Sequence, residues 1–168
     1  MFHTNDYVFY GSGGICKIVD IQAAPLEGMP KDQQYYILHS THDRSSVMYV
    51  PVDNDRIFLR GLLSREAAEE LMGQIADITE IEASNPKLLR EQYQESMRRY
   101  QPIDWVRVIK TVYARIHAVR PAAKRISETE RSFYETARKY LYTELSLVLD
   151  RSVQEIEQCV LANLKKES

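Results

Sequence analysis

The spacing of the apolar residues changes near residue 62, and this change constrains the fold more than any other feature. Before it, apolar residues form short runs rich in valine, isoleucine and tyrosine, which Gly, Pro and Asp interrupt. After it, they recur every three or four residues, as on one face of a helix. The sequence therefore predicts an α+β chain with two domains, a strand domain over residues 1–62 and a helical domain over residues 63–168.

The first domain is predicted to be a small antiparallel barrel or a curled sheet, because many short strands are joined by close turn signals. The run Gly11-Ser12-Gly13-Gly14 is typical of a hairpin turn that needs positive φ. It lacks the lysine and the following helix of a phosphate-binding loop. The predicted strands span residues 6–10, 15–23, 34–38, 47–51 and 56–60.

The second domain is predicted to contain four or five helices. Asn85-Pro86 supplies an N-cap and a first-turn proline, and Ser127 with Glu130 forms a capping box. The helix predicted over residues 103–119 is apolar on more than one side, which indicates a central place in the bundle. Trp105 begins this helix, and we expect it to pack in the core rather than to insert into DNA.

The charge is uneven along a chain whose total is only −2. Residues 86–151 hold 14 basic and 8 acidic side chains, a net charge of +6, so the rest of the chain carries −8. Cations grouped on one surface can bind phosphates even on a near-neutral protein, because salt screens charges beyond about 10 Å. For any single residue, an ordinary solvated helix face is the alternative interpretation.

No residue pattern indicates catalysis or a bound cofactor. Cys16 and Cys159 have no basic or histidine neighbour in sequence that would mark a nucleophile. His39 and His42 lie three residues apart, without further ligands at the spacing of a metal site. We therefore expect a protein that is not an enzyme and that has no cofactor and no metal site.

The sequence predicts a cytoplasmic protein without membrane contact. No apolar run approaches the roughly 18 residues of a membrane span. The N-terminus has no basic region followed by an apolar one, as a secretory signal would. The sequence does not indicate an oligomeric state.

Each half of the chain carries an ordered series of motifs. The first series is Asp6-Tyr7-Val8-Phe9-Tyr10, Gly13-Gly14, Ile18-Val19-Asp20-Ile21, Gly28, Tyr35-Tyr36-Ile37-Leu38 and Val50-Pro51-Val52. The second series is Ile126-Ser127-Glu128-Thr129-Glu130, Ala137-Arg138, Leu141 and Glu144-Leu145-Ser146-Leu147. Together they resemble the two domains of the CarD family of bacterial transcription regulators, whose N-terminal domain also occurs in the transcription-repair coupling factor.

The resemblance implies a small antiparallel Tudor-like, SH3-like β-barrel that docks on the RNA polymerase β subunit. It also implies a helical domain that touches promoter DNA near the upstream edge of the melted bubble and changes the stability of the open complex. We expect the DNA contact to be weak and largely independent of sequence. The resemblance implies no catalysis.

The positions that correspond to the family's polymerase-binding surface are Ala24 and Tyr49, and we include the neighbouring Val50 and Pro51. The family often has basic residues at the first two positions, whereas Ala24 and Tyr49 carry no charge. The contact is therefore expected to be apolar or aromatic, unless the partner differs.

The family often places a tryptophan wedge four residues before a tyrosine. Anchoring on Tyr93 puts Leu89 at that position. A leucine can insert between base steps, although Leu89 also fits a core stripe with Tyr93 and Met97. The residues expected to contact DNA are Leu89, Arg90, Lys124, Arg125, Arg131 and Arg138.

A protein-interaction adaptor is the second hypothesis. Its strand edge would pair with a different partner by β-augmentation, and its helical domain would dock or dimerise without DNA. The two hypotheses differ in whether the helical domain binds DNA in a salt-dependent way.

Overall fold

The computed structural model describes residues 1–11, 13–118 and 126–166. The chain divides into two compact units, with the boundary between Leu62 and Leu63. The first unit holds a five-stranded antiparallel sheet and the second holds five α-helices, which confirms the predicted fold class. Within the described ranges, no helix combines the length and the apolar character that crossing a membrane requires.

The strand unit is one antiparallel sheet in the order β4-β3-β2-β1-β5. This order places β4 and β5 at the two edges, so each pairs with a neighbour on one side. The sheet bends at a register shift between Ile18 and Asp20, where β2 pairs with β3. The strands are β1 (Tyr7–Tyr10), β2 (Gly14–Ala23), β3 (Gln34–Ser40), β4 (Val47–Pro51) and β5 (Leu59–Gly61).

The turn between β1 and β2 requires glycine at two positions. Gly14 has a φ of 71°, in the left-handed region that side chains disfavour. A Cβ atom at Gly13 would lie only 2.8 Å from the Tyr10 ring. The Gly13 N–H donates to the carbonyl of Tyr10 at 3.0 Å. Gly13 and Gly14 therefore belong to a hairpin turn between β1 and β2, as predicted.

One face of the sheet forms the core of the strand unit. Phe2 covers this core from the N-terminus, with its ring centroid 5.9 Å from that of Tyr36. The Phe2 N–H also donates to the Tyr36 hydroxyl at 3.1 Å. The buried residues of this cluster are Val8, Tyr10, Cys16, Ile18, Tyr36, Leu38 and Val50. Phe9, Ile15 and Tyr35 are buried as well.

Four of the five helices begin with a side-chain cap. In each, an Asn or Ser side chain accepts a hydrogen bond from a backbone N–H three residues later, which satisfies a donor that the first turn leaves open. The caps are Ser64, Asn85, Ser127 and Ser152. The helices are α1 (Arg65–Gln74), α2 (Pro86–Arg98), α3 (Pro102–Ile116), α4 (Glu128–Leu149) and α5 (Val153–Leu164).

Helix α3 is the most buried helix of the second unit, as its apolar pattern predicts. Trp105 is fully buried, and its ring centroid lies 5.5 Å from that of Tyr140 on α4. The helix ends at Ile116, earlier than the sequence predicts, where the N–H of His117 donates to the carbonyl of Tyr113. Trp105 is thus a core residue and is not available as a wedge.

Candidate functional site

Strand β4 presents backbone groups at an open edge of the sheet. The Val52 N–H donates to the carbonyl of Gln34 at 2.9 Å, and antiparallel pairing alternates between hydrogen-bonded and non-hydrogen-bonded pairs. Since Val50 lies two residues from Val52 and pairs with Tyr36, it turns its N–H and C=O toward β3. Tyr49 therefore turns its N–H and C=O away from β3, toward the outer edge.

The open part of this edge is short and has a defined end. Val47 repeats the outward orientation of Tyr49, and its side chain is 41% exposed. Pro51 has no N–H, and its carbonyl already accepts a hydrogen bond from the N–H of Asn54 at 3.0 Å. A partner strand can therefore pair with β4 at Val47 and Tyr49 and not beyond Pro51.

Strand β5, at the opposite edge, is protected. It spans only three residues, and the Arg60 side chain donates from Nη1 to the carbonyl of Gly61 at 3.1 Å. The Arg60 guanidinium also lies over the Phe9 ring, 5.1 Å from its centroid. Short length and a covered backbone are common ways to block edge pairing. Of the two edges, β4 is the one suited to binding a strand.

The residues expected to bind polymerase differ in their availability. Tyr49 and Pro51 are half-buried on β4, whereas the Val50 side chain is fully buried in the core. Val50 therefore cannot contact a partner through its side chain, which corrects its place in the expected set. Ala24 is half-buried directly after β2, with a φ of 41° that non-glycine residues seldom adopt.

Most described cations of residues 86–151, here called the basic segment, bind carboxylates or carbonyl groups of the protein itself. The structure describes 11 of its 14 basic residues, while Lys124 and Arg125, both expected to bind DNA, lie outside the described residues together with Arg120. Five of the 11 form ion pairs: Arg98, Arg99, Arg115, Arg138 and Arg151. Two donate to backbone carbonyls: Arg107 and Lys110. Four have neither kind of partner within the described ranges: Lys87, Arg90, Arg131 and Lys139.

Arg138 is enclosed by carboxylates and aromatic rings. Its Nη2 lies 2.8 Å from Oε1 of Glu157, and its Nη1 lies 3.6 Å from Oε1 of Glu135. The guanidinium also stands 4.9 Å from the centroid of the Tyr134 ring. This charge is already paired within the helical unit, so Arg138 is less available to DNA than an unpaired arginine. Arg131, two turns earlier on the same face of α4, is exposed.

A cleft of about 360 Å³ lies between the first turns of α2 and α4 and the end of α3. Leu89 and Phe133, both half-buried, supply apolar walls. Lys87 and Arg90 line the cleft from α2 and are exposed. Leu89, at the wedge position, therefore neither projects freely nor lies fully in the core. It belongs to the wall of a cleft with cations beside it.

Glu130 joins three helices beneath this cleft. Its Oε2 accepts a hydrogen bond from the Tyr93 hydroxyl at 2.7 Å and one from Nε of Arg115 at 2.6 Å. Its backbone N–H donates to the cap hydroxyl of Ser127 at 3.0 Å. Burial, followed by the hydrogen bond and charge of Glu130, raises the pKa of Tyr93 well above its usual value. The tyrosine therefore stays a neutral donor.

The Arg115–Glu130 pair was not predicted from the sequence. The capping-box pattern correctly indicates that Glu130 begins a helix, but a capping-box glutamate usually turns back to the cap. Here it binds an arginine 15 residues away on α3. No local spacing encodes such a pair.

Comparison with known proteins agrees with this architecture. The model of the CarD-like/TRCF RID domain matches residues 2–62, and the model of the CarD C-terminal domain matches residues 75–161. The chain belongs to the CarD family. This family member is therefore an RNA polymerase-interacting transcription regulator, and the resemblance seen in its motifs is confirmed. No curated protein matches the chain.

The two family matches fall on the two units of this CarD family member. The RID match ends at residue 62, where the strand unit ends. The C-terminal match begins at Ile75, after α1, and runs to residue 161 in α5. It therefore includes the α2–α4 cleft. In the part of the chain that the structure describes, no three His, Cys, Asp or Glu side chains converge as metal ligands would.

Proposed function

We propose that this CarD family member docks on the β subunit of RNA polymerase through β4 and places the free cations of its helical unit on promoter DNA. These two contacts together change the stability of the open complex. The observation that carries the proposal is the location of the unsatisfied groups. Among them are backbone groups on β4 and the side-chain cations Lys87, Arg90 and Arg131 near the first turns of α2 and α4.

Docking at β4 would use β-augmentation. A strand of the β subunit would bind the outward N–H and C=O groups of Val47 and Tyr49, each hydrogen bond adding a net ~1 kcal/mol. Tyr49 and Pro51 would add apolar contact from the exposed parts of their side chains. Since neither residue is charged, nor is Ala24, the contact would depend little on salt.

DNA contact would come mainly from phosphate binding. Lys87, Arg90 and Arg131 are exposed and have no ion pair among the described residues, so they can neutralise phosphates without losing a protein partner. Phosphate contacts carry no direct sequence information. So few contacts give micromolar or weaker affinity for free duplex. Tethering to polymerase would raise the effective DNA concentration and make this weak contact sufficient.

The tethered contact would act on the open complex by shifting an equilibrium. Contacts that form more readily on the melted promoter than on the closed one stabilise the melted state by that difference in binding free energy. Leu89, at the edge of the cleft, would contribute apolar contact where bases are unstacked.

The adaptor hypothesis uses the same β4 edge but no DNA. Its support is the pairing of most described cations, Arg138 among them, with groups of the protein itself. The two functions therefore differ in the role of the remaining free cations, which a direct binding experiment can separate.

The polymerase contact is tested by two substitutions at one position. Tyr49→Pro removes the outward N–H, whereas Tyr49→Val keeps it and also suits a strand. We expect Tyr49→Pro to weaken binding to purified β subunit at least about tenfold, and Tyr49→Val less than about threefold. Unchanged binding by Tyr49→Pro would contradict docking through β4.

The DNA contact is tested by a matched pair of arginines on α4. Arg131→Gln should lower affinity for a forked promoter fragment and reduce the slope of log K against log salt by about one. Arg138→Gln should leave that slope unchanged, because the Arg138 charge is already paired. If Arg131→Gln and a Lys87→Gln/Arg90→Gln variant both bind DNA with the wild-type affinity and salt slope, these cations do not form the DNA site. If the wild-type protein itself does not bind DNA, the adaptor hypothesis is favoured.

A further inference from the structure

The α2–α4 cleft has a lining that phosphate binding alone does not require. Leu89 and Phe133 give it apolar walls, and the Phe133 ring centroid lies 5.7 Å from that of Tyr93 on the cleft floor. Ser127 and Thr129 also line it. A surface that serves only to contact a duplex backbone needs cations, not a recess with an aromatic wall.

The charge of the cleft favours an anionic occupant. Lys87 and Arg90 are exposed and have no ion pair among the described residues. Arg115 also lines the cleft, but Glu130 compensates its charge through hydrogen bonds of 2.6 and 3.3 Å. The net charge thus comes from two α2 cations, beside an apolar recess.

We propose that this cleft receives one unpaired base of single-stranded DNA, while Lys87 and Arg90 bind the adjoining phosphates. The proposal rests on the proposed function and specifies what the helical unit binds at a melted promoter. Its basis is the combination of Phe133, Leu89 and two free cations in one cleft. Single-strand binding sites commonly combine an aromatic platform with a positively charged groove.

The size and the floor of the cleft fit one nucleotide. A volume of about 360 Å³ lies near the lower end of the range for small-ligand sites, which suits one base rather than several. The Tyr93–Glu130–Arg115 hydrogen bonds join α2, α3 and α4 and hold the walls in place before binding. Because any base has an apolar face, such a site would tolerate different sequences.

The experiment compares three DNA molecules with the full chain. They are a single strand of about ten nucleotides, an abasic strand with the same backbone, and the corresponding duplex. Fluorescence anisotropy at one low salt concentration gives the three affinities. We expect the intact strand to bind about 5- to 100-fold more tightly than the abasic strand, since stacking on an aromatic side chain adds that much.

Variants then locate the effect in the cleft. Phe133→Ala and Leu89→Gln should each remove most of the preference for the intact strand, and duplex binding should stay within about twofold. Leu147→Ala is the control, because Leu147 is a partly exposed apolar residue of the same helix and does not line the cleft. Circular dichroism checks the fold. If the Phe133→Ala variant is unfolded, the binding preference of the Leu89→Gln variant tests the inference.

Two outcomes would overturn the inference without affecting the proposed function. One is equal binding of intact and abasic strands, with duplex binding that Lys87→Gln/Arg90→Gln weakens. The other is complete competition by an acidic peptide of equal charge, which would show a general anion site. If none of the three DNA molecules binds at all, the proposed function fails as well.

Discussion

The two units of the protein expose different kinds of unsatisfied groups. On the strand unit, the open edge strand β4 offers backbone N–H and C=O groups beside uncharged side chains. In residues 86–151 of the helical unit, the unsatisfied groups are four cations without an ion pair or carbonyl partner within the described ranges. The comparison indicates that one unit suits a protein strand and the other suits a polyanion.

The comparison also shows how little a charge count says about a binding surface. The basic segment carries +6, yet seven of its 11 described cations already bind carboxylates or carbonyl groups of the protein. Only the remaining four described cations can bind phosphates without first losing a partner within the protein.

The largest expected effect tests whether the two units act separately. Trp105→Ala should destabilise the helices by about 3–5 kcal/mol, because it empties the site of the largest buried side chain. Binding to the β subunit should stay within about twofold, since β4 belongs to the other unit. Denaturant unfolding followed by circular dichroism, together with binding assays, checks both. Parallel loss of helices and β-subunit binding would disprove separate action.

Each unit contains one cysteine, so the reactivities of the two thiols can be compared. Cys16 is fully buried in the strand core, and burial raises the pKa of its thiol to about 11. At neutral pH its thiolate fraction is then about 300-fold below that of an ordinary cysteine. Half-buried Cys159 should react first with a thiol reagent, and Cys16 only when the strand unit opens. Mass spectrometry of the labelled peptides measures the order, and equal rates would contradict a closed strand core.

A smaller effect concerns the Glu130 junction below the cleft. Glu130→Ala leaves Arg115 and the Tyr93 hydroxyl without their partner. We expect the free energy of unfolding to fall by about 2 kcal/mol. The loss is smaller than for a fully buried ion pair because Arg115 is partly exposed. Glu128→Ala is the matched control in the same helical turn and should cost no more than about 0.5 kcal/mol, since Glu128 is exposed. Urea unfolding measures both. Equal losses would show that the junction contributes nothing specific.

Much of the fold could be predicted because it depends on local signals. The alternation in β2 and the caps at Asn85, Ser127 and Ser152 mark elements within a few residues of their true limits. Strand β5 is the least accurate: it begins at Leu59, whereas the sequence predicts a start at residue 56. Here Asn54 accepts backbone hydrogen bonds from Arg56 and Ile57 and holds them in a turn.

The candidate site was less predictable because pairing partners lie far apart in sequence. Arg131 and Arg138 cannot be distinguished from the sequence alone. Glu157, which lies on α5 and is 19 residues from Arg138, pairs only with Arg138. Burial of Val50 could have been inferred, because β4 alternates and Tyr49 and Val50 must point to opposite faces.

The most direct test of the account measures the salt dependence of both contacts on the same protein. Affinities for purified β subunit and for a forked promoter fragment are determined between about 50 and 200 mM salt. We predict that β-subunit affinity changes less than about twofold, whereas DNA affinity falls about 40-fold if Lys87, Arg90 and Arg131 each contact a phosphate. A steep salt dependence for the β subunit, or a flat one for DNA, would contradict the assignment of the two surfaces.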